Sequence, residues 1–323
     1  MTSRDKYYDF IGEIESERND IYNVLKYIDD IMNNISCISK KNFPEDFFSV
    51  EKFMNSDNES RTYILKYAVK YLYLDEFFNL ITYHKFETCS EVNIYLLLLV
   101  HNIKTYTKIN KKLVYQTIEL LIELGCDISY RDHLVTILAS GSHNFILQLI
   151  LEHGGDASTL DNMPICYAVN NHSIDNVMLL MEYGADIHTH NNHIFRYSLY
   201  IDNIDLINYC IDIGIDVNIN NSIAIKYSIY NSSEIFDTLI NHGADINCID
   251  GNDIYHIVHN KDILLLKKLS DLGVRMDQMN SVCDNMNKNK NNDNNSDCDI
   301  FQLLKNNGVF DKNIIFALYN KGD

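Results

Sequence analysis

Gly184-Ala185-Asp186-Ile187 decides the fold of this chain, because close copies of this tetrapeptide recur along it. The copies are Gly125-Cys126-Asp127-Ile128, Gly154-Gly155-Asp156-Ala157, Gly214-Ile215-Asp216-Val217 and Gly243-Ala244-Asp245-Ile246, and Gly273 continues the series. The six glycines follow one another at intervals of 29, 30, 30, 29 and 30 residues. Self-similarity at such a period predicts a solenoid of stacked supersecondary units.

Each unit is predicted to contain two short helices. An apolar stripe with helical spacing precedes the glycine, as in Ile174, Val177, Met178 and Met181. The glycine itself suits the left-handed residue that ends many helices. An earlier helical run carries a small residue about fifteen positions before the glycine, at Ala139, Ala168, Ser198 and Ser228. The recurring aspartates are expected to accept backbone amide hydrogen bonds in the turn; they are Asp127, Asp156, Asp186, Asp216 and Asp245.

These units resemble the ankyrin repeat family. The resemblance lies in the Gly-Ala-Asp-Ile stops and in Met163-Pro164-Ile165-Cys166-Tyr167-Ala168, which is similar to the Thr-Pro-Leu-His-x-Ala helix start of that family. The period of about 30 is shorter than the family's 33 residues, and the shortening falls in the connector between glycine and next helix. The resemblance implies an all-α, ankyrin-type solenoid with short connectors.

The domain organisation is predicted from where this pattern holds. The repeat array is expected over residues 60–323, with a mobile Asn-rich insertion at 280–297 that has little apolar surface to bury. Residues 1–59 are predicted to form a helical N-terminal cap, because the ends of a solenoid need a polar outer face. An alternative is that residues 1–59 recruit a ubiquitin ligase, since Phe43-Pro44-Glu45-Asp46-Phe47 is faintly similar to the start of an F-box.

The composition restricts the classes of partner. The 27 basic and 45 acidic residues leave a formal net charge of −18, which disfavours nucleic acid. No apolar stretch reaches the length of a membrane span, and the eight cysteines contain no Cys-x-x-Cys pair. We therefore expect a monomeric intracellular protein that has no cofactor and binds neither membrane nor nucleic acid. Heavy use of Asn, Ile and Lys, beside repeats that depart from the family motif, resembles the ankyrin proteins of giant amoeba-infecting viruses such as mimivirus. This resemblance implies a protein of the host cytoplasm, with association with the virion as the alternative.

The candidate binding residues change in chemical character from unit to unit, whereas the residue before them stays small. In the resembled family this part of the first helix faces a concave groove that binds protein partners. We expect Tyr200, Ile201 and Tyr230 to form the apolar centre of such a groove. The surrounding polar residues would be Asn170, Asn171, Asn231 and Lys261. An alternative is that these side chains only pack between neighbouring first helices.

A third possible function is metal binding. His188, His190 and His193 form the densest histidine cluster of the chain, and imidazoles so close together could share a transition metal. The sequence shows no phosphate-binding loop, nucleophile elbow or His-Glu-x-x-His motif. We therefore predict a non-catalytic protein.

Overall fold

A computed structural model describes residues 47–86, 89–104, 106–281 and 303–309. These residues form helices and turns, and the described part of the chain contains no strand. Most of the predicted insertion at 280–297 and most of the predicted cap at 1–59 lie outside the described residues. The chain divides into two compact units, Arg18–His193 and a second unit of Ile194–Asp323 with Met1–Glu17.

The described helices follow one another in pairs after a short first helix. In order they are α1 Val50–Asn55, α2 Asn58–Lys70, α3 Leu74–Ile81, α4 Cys89–Ile103, α5 Lys111–Glu123, α6 Tyr130–Ser140, α7 Asn144–Glu152, α8 Thr159–Asn170, α9 Ile174–Glu182, α10 Thr189–Tyr200, α11 Ile204–Asp212, α12 Ile219–Asn231, α13 Ser233–Asn241, α14 Gly251–His259 and α15 Ile263–Asp271. We number the pairs from pair 1 (α2 and α3) to pair 7 (α14 and α15). Short 3-10 segments, Ile246–Cys248 and Met276–Gln278, precede and follow pair 7.

Within the Arg18–His193 unit, the pairs stack with like helices side by side. The first helices α2, α4, α6 and α8 form one layer, and the second helices α3 and α5, then α7 and α9, pack in the other. In the second unit, α12 packs on α14 and α11 packs on α13. Within each unit, neighbouring pairs thus bury apolar faces against one another, which is the architecture that the glycine period predicts.

The small residues of the first helices are buried as expected. Ala139, Ala168 and Ser198 are fully buried, and Ser228 nearly so. The serines are tolerated there because each hydroxyl donates to the carbonyl three residues earlier: Ser198 to Phe195 and Ser228 to Ile225, both at 2.7 Å. A buried hydroxyl with a local acceptor costs little relative to the methyl group of alanine.

The apolar stripe predicted before Gly184 is wrong at one position. Val177 is buried, but Met178 is 42% exposed, and Leu180 takes its place in the core. The reason is angular, because Val177 and Leu180 lie three residues apart on one face of α9 and Met178 is turned about 100° from Val177.

In pairs 2 to 7, each second helix ends at its glycine in the predicted left-handed conformation. The φ angles of Gly125, Gly154, Gly184, Gly214, Gly243 and Gly273 lie between +83° and +98°. After Gly184, the amide of Ala185 donates to the Leu180 carbonyl at 3.0 Å, and the Gly184 amide donates to Met181, also at 3.0 Å. This hydrogen-bond pattern is the Schellman motif, and it satisfies carbonyls that the helix leaves open.

The starts of three first helices have a feature that no sequence pattern predicted. The first turns of α6 and α8 contain three consecutive left-handed residues, at 131–133 and at 160–162, before the right-handed helix continues. Near the start of α10, His190 and Asn192 are left-handed as well. The signal in the sequence was the run of Asp, Asn and His there, since these residues adopt left-handed backbone more readily than most.

The N-terminal pairs depart from the repeat motif. Pair 1 lacks the glycine stop, and His84 stands in that place with a buried side chain. In pair 2, α4 ends at Ile103 and α5 begins at Lys111, so the separation between its helices is longer than in pair 3. At the other end, Leu304 is buried and Gly308 has a φ of +80°, so residues 303–309 repeat the helix end of the preceding pairs.

Candidate interaction surface

The candidate binding residues lie at the ends of the first helices, in both units. Asn170 and Asn171 end α8 in the Arg18–His193 unit. Tyr200 and Ile201 end α10, Tyr230 and Asn231 end α12, and Lys261 follows α14, all in the second unit. Asn171, Asn231 and Lys261 are exposed, and the other four are half-buried. In each first helix the side chains become half-buried or exposed two residues after the buried small residue. At this point the helix leaves the core.

Tyr230 is held in place by the neighbouring first helix. Its hydroxyl donates to Oδ1 of Asp253 at 3.0 Å, and the centroid of its ring lies 4.2 Å from that of His256. Both partners belong to α14. Tyr230 therefore contributes to the packing of pair 6 on pair 7 and also presents part of its ring at the surface.

Tyr200 is held less tightly. Its ring lies 6.0 Å from that of Tyr197, and its backbone carbonyl accepts a hydrogen bond from the Tyr227 hydroxyl at 3.3 Å. Tyr227 in turn belongs to α12, so the ends of α10 and α12 are tied together beside the candidate surface. A side chain whose surroundings are already ordered loses less entropy on binding.

The two asparagines that end α8 and α12 make equivalent contacts. Nδ2 of Asn171 donates to the Tyr167 carbonyl at 2.8 Å, and Nδ2 of Asn231 donates to the Tyr227 carbonyl at 2.9 Å. Each side chain therefore satisfies one of the last carbonyls of its own helix. A structural contribution of these amides is thus visible beside any contribution to binding.

The Tyr230 hydroxyl belongs to a largely buried ionic cluster. The cluster consists of Lys226, Asp250, Asp253 and Tyr230, and we refer to it as the Lys226 cluster. Nζ of Lys226 lies 3.1 Å from Oδ2 of Asp250 and 3.2 Å from Oδ2 of Asp253. Lys226 is 5% exposed and Asp253 is fully buried. Burial raises the pKa of the Asp253 carboxyl, and the Lys226 ammonium opposes that shift. No local sequence pattern marks this cluster, because its ion pair joins residues that lie 27 positions apart.

The histidine cluster is not arranged around a common point. Nδ1 of His188 pairs with Oδ1 of Asn192 at 2.8 Å, whereas Nε2 of His190 contacts the Asp161 carbonyl of the preceding connector at 3.0 Å. The His193 side chain is fully buried in the helix core. Across residues 47–86, 89–104, 106–281 and 303–309, no group of three His, Cys, Asp or Glu side chains could hold a metal ion.

The recurring aspartates have the role that was predicted for them. Oδ1 of Asp127, Asp156, Asp186, Asp216 and Asp245 accepts a hydrogen bond from the backbone amide two residues later, at 2.8–2.9 Å. Hydrogen bonds from Ser129 and Ser158 lower the pKa of Asp127 and Asp156. Part of the negative charge of the repeats is thus used in forming the connectors.

The part of the N-terminal segment that is described packs on pair 1. The Phe53 side chain of α1 is fully buried, and Nε of Arg61 donates to the Phe53 carbonyl at 2.9 Å. Most of the F-box-like stretch, Phe43 to Asp46, lies outside the described residues, while the Phe47 ring contacts the rings of Phe48 and Tyr67. Among the helices that the structure describes, none is long and apolar enough to cross a membrane.

The fold is therefore an all-α, ankyrin-like helical repeat. The chain is similar to a protein of Acanthamoeba polyphaga mimivirus that is named as an ankyrin repeat protein, with 29% identity over 145 residues. The match covers 43% of this chain and 47% of the mimivirus protein, so it spans about half of that relative. No family model matches the chain. The resemblance to mimivirus ankyrin repeat proteins thus rests on this relative and on the stacked helix pairs.

Proposed function

We propose that this protein is a non-catalytic scaffold that binds another protein through the ends of its first helices. The observation that carries the proposal is the change in character at one structural position. The residues after the small position are Asn170 and Asn171 in pair 4, Tyr200 and Ile201 in pair 5, and Tyr230 and Asn231 in pair 6. Variation at partly exposed positions on a repeated buried frame is how repeat proteins encode a partner.

The second unit provides the apolar part of the proposed surface. Tyr200, Ile201 and Tyr230 are half-buried there, with Asn231 and Lys261 exposed beside them. Tyrosine rings at partly buried positions are common energetic centres of protein interfaces, because they bury a large area and lose few rotamers. Asn170 and Asn171 hold the equivalent position in the other unit. The resemblance to mimivirus proteins supports a viral protein that acts on host or viral partners.

The proposal is tested by partner capture with a matched control. Tagged full-length protein is recovered from infected amoebae, and the partners are quantified by mass spectrometry for the wild type and for Tyr200→Ala/Tyr230→Ala. We expect the free energy of binding to weaken by about 2 kcal/mol in this double variant, the scale of interface hot spots. The control is Tyr115→Ala/Tyr183→Ala, which removes two exposed tyrosines from second helices and should leave capture unchanged.

Two further variants separate binding from folding. Because Tyr230 also bonds Asp253, Tyr230→Phe removes the hydroxyl and keeps the ring, and it should retain most of the binding. Tyr200→Ala alone leaves the Lys226 cluster intact and should weaken binding. Undiminished capture by the folded double variant would refute the assignment of this surface, as would an equal loss in the control.

A further inference from the structure

We propose that the Lys226 cluster is an ionic latch that holds pair 7 on pair 6, so that its release frees pair 7 while the preceding pairs stay folded. The cluster joins the two pairs through buried polar groups. Lys226 and Tyr230 belong to α12, and Asp253 belongs to α14. Asp250 is the residue that caps α14.

Asp253 has two roles that depend on each other. Its Oδ2 atom accepts a hydrogen bond from the Asp250 amide at 2.9 Å, which completes a capping box at the start of α14. The same atom contacts the Lys226 ammonium, and Oδ1 accepts from Tyr230. The residue that starts the first helix of pair 7 is therefore also the residue that joins this helix to pair 6.

The connector before pair 7 differs from those before pairs 3 and 4. The first turns of α6 and α8 contain left-handed residues. In contrast, Asp245–Asp250 contains no residue of positive φ, and α14 begins with the capping box. The position of Lys226 is occupied by buried Cys166 in pair 4 and by buried Arg196 in pair 5, so this place accepts either an apolar residue or a cation. What marks the junction between pairs 6 and 7 is that the carboxylate facing Lys226 also completes the capping box of α14.

Because of the charges around Asp253, removing the Lys226 ammonium and neutralising the Asp253 carboxylate should have opposite effects on the junction. The groups that face its carboxyl are the Lys226 ammonium and the Tyr230 hydroxyl from α12, with Asp250 and Cys248 from the segment before α14. A buried ion pair adds little compared with an apolar pair of the same volume, but losing one partner leaves an uncompensated charge in the core. Removal of Lys226 should therefore open the junction, and neutralisation of Asp253 should close it again.

Hydrogen exchange of the full-length protein, followed by mass spectrometry, tests the latch. In Lys226→Met at pH 7, amides within 251–271 should exchange at least about tenfold faster than in the wild type, and amides within 130–152 at the wild-type rate. The matched control is Lys268→Met, which breaks the exposed pair between Lys268 and Asp237 across the same two pairs, 2.6 Å between Nζ and Oδ2. This control should change exchange less than about twofold, because exposed pairs contribute little.

Two more measurements distinguish a latch from a general packing defect. The double variant Lys226→Met/Asp253→Asn removes both charges and should restore most of the protection. For Lys226→Met alone, the ratio of its exchange rate to that of the wild type at the same pH should fall on acidification. The sign follows from the raised pKa of Asp253, since a protonated carboxyl no longer carries an uncompensated charge.

Three results would overturn the proposal. They are wild-type exchange within 251–271 in Lys226→Met, an equal effect of Lys268→Met, and faster exchange that spreads equally to 130–152. If Lys226→Met does not fold, the double variant decides, because a latch predicts that neutralising Asp253 restores folding. A double variant that is equally unable to fold contradicts the latch. These measurements need no binding partner, so their failure is independent of the proposed function.

Discussion

Two kinds of left-handed residue end the helices of this protein, and their φ angles explain which of them must be glycine. The second helices of pairs 2 to 7 end at glycines with φ between +83° and +98°. Several first helices end at Leu72, His172, Asp202 and Lys261, with φ between +52° and +59°. The lower range is the left-handed region that residues with a Cβ can adopt at a modest cost, whereas angles near +90° fall outside it. Among the described residues, left-handed glycine therefore recurs at the ends of second helices, while the left-handed residues after first helices carry a Cβ.

Gly184→Val tests this explanation. An added Cβ at Gly184 would meet no atom within 4 Å, so the cost is that of the backbone alone. We expect the free energy of unfolding to fall by roughly 1–3 kcal/mol, the size of such backbone strain. Urea denaturation measures the loss. Gly184→Asn serves as the control and should lose less, because asparagine tolerates left-handed backbone better than a β-branched residue. Equal unfolding midpoints for Gly184→Val and the wild type would contradict the assigned role.

At the scale of elements, polar side chains help to fix how one pair stacks on the next. Asn176 of α9 is fully buried, and its Nδ2 atom donates to the carbonyls of Ser140 and Ser142 at 2.8 and 2.9 Å. These carbonyls lie at and after the end of α6. The second helix of pair 4 therefore satisfies open carbonyls of pair 3.

Asn176→Ala should weaken the junction between pairs 3 and 4. The buried Ser140 carbonyl and the part-buried Ser142 carbonyl would lose a donor, and we expect a loss of about 1–3 kcal/mol in the free energy of unfolding. Thermal or urea unfolding measures this effect. The control is Asn144→Ala, since exposed Asn144 donates to Asn176 at 3.1 Å and its removal leaves both carbonyls bonded. Equal losses in the two variants would show that the contacts of Asn176 with α6 contribute nothing particular.

At the scale of the whole molecule, the composition of the Asn-rich insertion predicts where the chain should be cut first. Limited proteolysis of the native protein is expected to begin within 280–297, because this segment contains the tract Asn287 to Asn295 and little apolar surface. Mass spectrometry of the first fragments identifies the site. First cleavage within α6–α9 would contradict the predicted division, and resistance at 280–297 would show that the insertion is ordered.

The sequence by itself determined the features that depend on local chemistry. The glycine period predicted helix pairs and their stops, and the recurring aspartates predicted the turns that follow. These features are readable because each depends on residues within one unit, where backbone conformation and hydrogen bonding are set by near neighbours. The period also predicted stacking, since one pair cannot bury its own apolar face.

Only the tertiary structure decided which side chains meet across units. It paired Lys226 with Asp253, tied Tyr230 to the same carboxyl and directed His188 and His190 to different partners. The left-handed residues in the first turns of α6 and α8 and the exposure of Met178 were not recognised from the sequence either. The physical reason is that an ion pair is a matter of distance and burial between residues far apart in the chain. The repeat period predicts that two helices are neighbours, but it does not predict which of their polar atoms form ion pairs or hydrogen bonds.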